Sequence, residues 1–336
     1  MEDLISKVVD KIRSDVTAAD LQWSLFQAAL GSYRHDSVLK PFPSALLSDT
    51  GQNDEKDFAA LKSMADEIPS LRSLLQSQAK RKDLSEQAWR LLSWVLLQNP
   101  LTVTTHERSK FSAIQDLTGE SSYQVTPSYV FEVQYNSAAN QRFEELRQAK
   151  DLMYAYHGSR LDNFYSIIHN GLYAHMNKNS LFGEGTYLSS DICVSMPYSP
   201  VGKGWEGSSL GTTLSCVLVC ELIDHPDVKC QTRDRSSSNT DGPRRSHAPQ
   251  SVGGEVPEKY YVVTNNEVVR VKYVLVFADS AKPKRLAQSR SKIMTFVCNH
   301  IFALCMFGYL LVLLLIGLMN SRTFQTFYRK NFGSRS

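Results

Sequence analysis

The sequence predicts an α+β chain in three parts: a small N-terminal helical domain over residues 1–118, an antiparallel-sheet domain over residues 119–280, and a C-terminal transmembrane helix over residues 293–320. Three observations carry this reading. Apolar residues recur at helical spacing through the first third of the chain. From about Tyr123 the texture changes to short runs rich in β-branched and aromatic residues. Residues 293–321 contain no Asp, Glu, Lys or Arg. The 336 residues supply ample material for a buried core, and a net charge of +3 from 37 basic and 34 acidic side chains gives no overall field for nucleic acid. Six scattered cysteines form no disulfide framework and suit a reducing compartment.

In the first part, "LISKVVDKI" puts Leu4, Ile5, Val8, Val9 and Ile12 on one stripe, and "LQWSLFQAAL" repeats the habit with Leu21, Leu25 and Leu30. Pro41, Pro43 and "SDTGQND" break the pattern. Helical stretches resume at "DFAALKSMADEI", "LRSLLQSQAK" and "LSEQAWRLLSWVLLQ", the last stopped by Asn99-Pro100. No chemistry is visible here, and His35 and His106 read as ordinary surface histidines.

In the second part, "YVFEVQYN" and "LMYAYHGS" read as strands, the latter ending in a turn at Gly158. "LDNFYSIIHNGL" is a helix with Leu161, Phe164, Ile167 and Ile168 inward and Gly171 at its C-cap. "GTYLSS" is a short strand, "TLSCVLVCELI" a long apolar one, and "KYYVVTNNEVVRVKYVLVFA" two strands joined at Asn265-Asn266. Residues 232–258 are too polar and too rich in Ser, Pro and Gly to pack, so a mobile insertion is expected there.

A basic linker over residues 281–292 leads to the uncharged run. About 20 apolar residues cross a bilayer as a helix, and residues 301–319 supply them. The N-terminal residues hold no apolar run of signal-peptide length. A tail anchor is therefore expected, with the bulk of the chain cytosolic and residues 321–336 across the membrane.

Two clusters in the sheet domain carry the chemistry. His157 before Gly158 presents an imidazole beside a backbone without a Cβ, which a flat ligand can approach, and Ser159 adds a hydroxyl. In "FGEGTYLS", Gly183 and Gly185 permit a tight turn before a strand that delivers Tyr187. Ser195 and Tyr198 add a second hydroxyl and a second ring. Two tyrosines with amide-binding backbone between them make a slot for a planar aromatic amide. Glu184, between two glycines, is expected in solvent. Cys216, Cys220, His225 and Cys230 mimic zinc-ligand spacing. Four residues of strand span about 13 Å, whereas zinc ligands sit about 2.3 Å from the metal, so no metal site is expected.

The ordered motifs "HGS", "FGEGTYLSS" and "SMPYS" resemble the catalytic domain of the poly(ADP-ribose) polymerase family, the diphtheria-toxin-like ADP-ribosyltransferases. The resemblance covers roughly residues 123–278. With its helical first part and apolar end, the whole chain is similar to the tail-anchored, mono-ADP-ribosylating member of that family in the endoplasmic reticulum membrane. The resemblance implies NAD as substrate, cleaved between nicotinamide and ribose, with ADP-ribose passed to protein acceptors, the chain itself among them, and with no nucleic acid partner and no metal. It implies that His157 hydrogen-bonds the adenosine ribose 2′-hydroxyl and that Gly158 holds the nicotinamide carboxamide through its backbone. Ser195 would donate to the amide oxygen, Ser159 would reach the adenosine-side ribose, and Tyr187 and Tyr198 would stack on opposite faces of the nicotinamide.

Polymerising members of the family carry a glutamate that polarises the hydroxyl of a growing chain. Counting back from "VKYVL", that position falls on Tyr260 rather than Tyr261, and strand alternation lets only one of these neighbours face the pocket. A phenol is a poor general base at neutral pH. One ADP-ribose per acceptor, and no polymer, is the expectation. Two other functions remain open to the sequence: a catalytically silent NAD- or ADP-ribose-binding scaffold tethered to the membrane, and an adaptor whose helical domain and insertion recruit partners.

Overall fold

The computed structural model describes residues 1–43, 56–98, 100–119, 125–172, 182–231 and 256–278, with residues 306, 317, 321 and 326 singly. The chain divides into two units, Met1–Pro283 and Lys284–Ser336. The expected membrane helix, basic linker and tail, and the insertion up to residue 255, lie outside the described residues apart from those four. Among the described residues no helix is long and apolar enough to cross a membrane.

The first part is helical through α1 (Glu2–Ser14), α2 (Val16–Leu30), α3 (His35–Val38), α4 (Phe58–Asp66), α5 (Leu71–Gln76), α6 (Gln78–Asp83) and α7 (Glu86–Leu97). Capping side chains start them where the sequence allows. Asp57, Ser70, Ser77 and Ser85 each accept from a backbone N–H in the first turn of α4, α5, α6 and α7. The stripe of α1 buries Val8, Val9 and Ile12. α2 departs from the amphipathic expectation, since Asp20, Gln22 and Ser24 are buried along with its apolar residues.

The helical reading up to residue 118 does not hold throughout. β1 (Leu101–His106) is a strand whose Leu101 and Val103 are buried while Thr102 and Thr104 are exposed. It pairs antiparallel with β2 (Tyr129–Tyr135), from Leu101 opposite Tyr135 to His106 opposite Val130. Asp15 ties it to the helices: one oxygen accepts from Ala18 N–H at 2.9 Å to cap α2, and the carboxylate also accepts from Thr105 N–H and Oγ1–H, both at 2.7 Å. His106 and His35 are not solitary. His106 Nε2 lies 2.8 Å from Glu132, and His35 Nδ1 lies 3.0 Å from the Ser32 carbonyl.

After β1 come α8 (Lys110–Thr118), β2, α9 (Ser137–Arg147), β3 (Leu152–Gly158), α10 (Phe164–Asn170), β4 (Thr186–Ser189), α11 (Ile192–Ser195), β5 (Gly202–Lys203), β6 (Thr213–Ile223), β7 (Val228–Cys230), β8 (Tyr260–Val263) and β9 (Val269–Ala278). Among the described residues they form one antiparallel sheet in the order β1-β2-β9-β6-β3-β4-β8-β7, with β5 on β6. The long strand β6 is central, as its apolar run over residues 216–220 requires, because both faces are covered. On one face Cys216, Leu218, Val274 and Val276 join the core that includes α2 and α10. On the other, Val217, Val219, Leu275 and Tyr156 pack with Phe111 and Ile114 of α8. β8 and β9 are consecutive but do not pair, since β8 lies between β4 and β7 while β9 lies between β2 and β6.

Candidate active site

His157 is the penultimate residue of the paired run of β3, with its backbone opposite Leu218 and that of Gly158 opposite Val217. Its Nδ1 lies 2.9 Å from the Tyr187 carbonyl. A carbonyl can only accept, so Nδ1 carries the proton and Nε2 of the neutral ring is left as an acceptor. Burial drives the imidazole pKa below its ordinary 6.5, against a smaller opposing effect of that backbone bond. The ring is therefore neutral at physiological pH, and the first sequence cluster is joined to the second through this bond.

Packing requires a glycine at position 158. A Cβ there would sit 2.0 Å from the Ser195 carbonyl oxygen and 3.0 Å from Ser199 Oγ. Protein backbone, rather than open space for a ligand, occupies the place of the missing side chain. Ser195 is buried and its hydroxyl donates to the Tyr156 carbonyl at 3.1 Å. To donate to a ligand amide oxygen that hydroxyl would have to release this bond. Ser159 donates its N–H to Ser199 Oγ at 3.1 Å, and its own Oγ accepts from Asn163 Nδ2 at 2.8 Å. Ser199 is itself fixed, since its carbonyl accepts from Ser215 Oγ at 2.6 Å.

The second cluster is set by β4. Tyr187 lies opposite Val262 of β8 and Ser189 opposite Tyr260. Directly paired residues share a face, and residues two apart on a strand share a face. Tyr187 and Tyr260 thus lie on the same side of the sheet, while Tyr261, opposite Leu188 and Cys230, lies on the other. The Tyr187 hydroxyl donates to the Gly183 carbonyl at 2.7 Å and accepts from Phe182 N–H at 2.9 Å, so the phenol locks the turn that precedes its own strand. Gly183 and Gly185 there have φ of 101° and 154°, and a Cβ on Gly185 would meet Val262 at 2.6 Å. Glu184 is exposed, as expected.

Phe182 joins the tyrosines. Its ring centroid lies 6.3 Å from that of Tyr187 and 6.0 Å, edge-on, from that of Tyr260. The carbonyl of Phe182 accepts from Lys229 Nζ at 2.8 Å, and burial lowers the pKa of that amine. Tyr198 stands apart. It closes a single 3-10 turn over Met196–Tyr198, is 63% exposed, and has no ring contact with Tyr187 among the described residues.

The zinc-like spacing carries no ligand geometry. Cys216 and Cys220 are two buried positions along β6, and burial pushes both thiols far above their ordinary range. Among the described residues no group of His, Cys, Asp and Glu side chains is placed to hold a metal. What the site does offer is a neutral imidazole acceptor, a serine hydroxyl and a cluster of three rings. That donor set fits ribose hydroxyls and a flat aromatic amide, the two ends of a nicotinamide nucleotide.

Residues 108–279 match the family model described as the poly(ADP-ribose) polymerase catalytic domain. The chain belongs to the poly(ADP-ribose) polymerase family. It is an NAD-dependent ADP-ribosyltransferase, and the resemblance read from its motifs holds. Residues 10–96 match a second model, described as the ARTD15 N-terminal domain. The chain is 48% identical to the protein mono-ADP-ribosyltransferase PARP16 of Mus musculus over 317 residues, 94% of either chain. It is equally similar to that of Homo sapiens, 48% over the same share. A more distant match is the protein mono-ADP-ribosyltransferase PARP8 of Mus musculus, 23% identical over 67% of this chain and 30% of that one.

In this polymerase-family fold, sequence reasoning located both clusters but missed Phe182, Asn163 and Ser199. Phe182 opens "FGEG", where a lone aromatic before two glycines carries no pattern that marks it as part of a site. Asn163 sits four residues after Ser159, at the foot of a helix, a spacing that places an amide over the preceding turn.

Proposed function

We propose that this enzyme is a membrane-anchored protein mono-ADP-ribosyltransferase that cleaves NAD and passes a single ADP-ribose to protein side chains, including its own. The observation that carries the reading is the pairing of β4 with β8, which sets a phenol, Tyr260, on the same face as Tyr187. In the family pattern that position belongs to the glutamate of chain-extending members. The 48% identical relatives bear the name mono-ADP-ribosyltransferase, which agrees.

NAD supplies the electrophilic ribose carbon and the nicotinamide leaving group. The bond between them breaks, the electron pair leaves with nicotinamide, and an acceptor oxygen or other nucleophile bonds to the same carbon. The protein's part is positioning and electrostatics. His157, neutral and with Nε2 unprotonated, accepts from an adenosine ribose hydroxyl. Gly158 binds the carboxamide through its backbone, and the rings of Tyr187 and Tyr198 bracket the nicotinamide. Tyr260 hydrogen-bonds the nicotinamide-side ribose without removing a proton from an incoming sugar hydroxyl, so a second ADP-ribose is not added. An acceptor already ionised, such as a carboxylate, needs no such base.

Residues 301–319 anchor the protein in the bilayer, because no charge interrupts them and their length spans the hydrocarbon. The membrane is that of the endoplasmic reticulum and the catalytic part faces the cytosol, following the resemblance of the whole chain. Incubating the full chain with labelled NAD tests the enzymatic reading. Self-labelling that disappears on His157→Ala or Tyr187→Ala supports it, whereas NAD binding without transfer would make the protein a silent scaffold.

A further inference from the structure

A directional hydrogen-bond chain runs from the helical region into the turn after His157. Arg34, which lies between α2 and α3, donates from Nη2 to Asn163 Oδ1 at 2.8 Å. Asn163 Nδ2 donates to Ser159 Oγ at 2.8 Å. Arg34 is held for this task by Asp162, whose two oxygens each lie 3.2 Å from the same nitrogen. Asp162 in turn accepts from Ser32 Oγ at 2.6 Å and from Arg160 Nε at 3.2 Å.

The chemistry of the donors fixes the direction of the chain. A guanidinium has no acceptor, so the oxygen of the Asn163 amide must face Arg34 and its nitrogen must face Ser159. Ser159 Oγ then spends a lone pair on Asn163. Its own proton has no acceptor among the described residues and is available to a ligand. Were the amide reversed, Ser159 would donate to Asn163 and could only accept from a ligand.

We propose that Arg34 is a positioning residue for NAD: acting through Asn163, it makes Ser159 a hydrogen-bond donor to an acceptor oxygen of the nucleotide. The inference rests on the reading that Ser159 faces NAD. It also means that the site within the catalytic-domain match is completed from the other matched region, since Arg34 lies within residues 10–96 and Ser159 and Asn163 within residues 108–279.

The test is steady-state kinetics of the full chain in detergent, with NAD varied, for Ser159→Ala, Asn163→Asp, Arg34→Met and the doubles that combine either of the last two with Ser159→Ala. An aspartate at 163 can only accept, so it draws the Ser159 proton away from the nucleotide while keeping a partner for Arg34. Each single change is expected to raise KM for NAD about 3- to 10-fold, the worth of one hydrogen bond, with a smaller effect on kcat. Neither double should exceed Ser159→Ala alone, because all act on one proton. KM does not depend on how much of the enzyme is folded, so a loss of stability cannot imitate this result. If Ser159→Ala raises KM while Asn163→Asp and Arg34→Met leave it unchanged, the relay is wrong. It is equally wrong if Arg34→Met raises KM as much with alanine at 159 as with serine. An unchanged KM in Ser159→Ala itself overturns the placement of Ser159 against NAD.

Discussion

At Gly158 a single hydrogen atom decides whether the site can form. The Ser195 carbonyl lies where a Cβ would be, at 2.0 Å, and backbone cannot yield as a flexible side chain can. Gly158→Ala should therefore abolish NAD-dependent labelling and destabilise the fold by roughly 1–3 kcal/mol, the usual cost of overpacking, read by denaturant unfolding. His157 makes a second, pH-dependent statement. Its folded pKa lies below the ordinary 6.5 because burial opposes the charge. The unfolded chain then binds the proton first as pH falls, so stability contributed by this residue is intact above 6.5 and is lost from there downward toward the folded pKa. His157→Gln should flatten the acid side of a stability profile. It should not level it, since His169 is shifted in the same direction by burial. Tyr260→Glu would install the residue type that the resemblance gives to chain-extending members at this position. It should still yield no long chains, because the shape of the acceptor side matters as well as one carboxylate.

Among elements, the most consequential contact outside the sheet is made by α2. Asp20 is 1% exposed and accepts from Ser24 Oγ, Ser208 Oγ, Ser209 N–H and Ser209 Oγ at 3.2, 2.6, 2.7 and 2.7 Å. It clamps the loop around Ser208 to the helical region, where Trp205 packs edge-on against Trp23 with centroids 6.2 Å apart. Asp20→Asn replaces one acceptor oxygen with a donor and should cost on the order of 1–3 kcal/mol, because a buried polar group is left unsatisfied. Chemical denaturation measures the cost, and faster amide exchange at residues 205–210 locates it. Elements differed in how readable they were for physical reasons. β6 is legible from its apolar run over residues 216–220, since a strand covered on both faces buries consecutive residues. β1 gives a weak signal because its alternation is carried by only two buried apolar residues among threonines. The polar helix α9 has little local signal because its support comes from afar, through Arg270 to Asn140 and Glu144 and through Arg142 to Glu267.

For the whole molecule, the order of motifs was enough to find the fold family, because the two site clusters sit on strands whose apolar pattern forces them into one sheet. The partnerships inside the site were less legible. Ser199 receives the N–H of Ser159 from forty residues away, and Asn163 meets Arg34 across 129 residues, so neither bond has a local signal in the chain. The apolar run 301–319 predicts that the full chain stays with membranes after alkaline extraction and that a chain ending at residue 292 does not. Retention of the shortened chain would place the membrane contact elsewhere. The central claim is the product, one ADP-ribose on a protein side chain, and it is tested most directly by mass spectrometry of the intact chain and its peptides after reaction with NAD. A single ADP-ribose at each modified residue is the predicted result, and a ladder of linked units on one residue would contradict it.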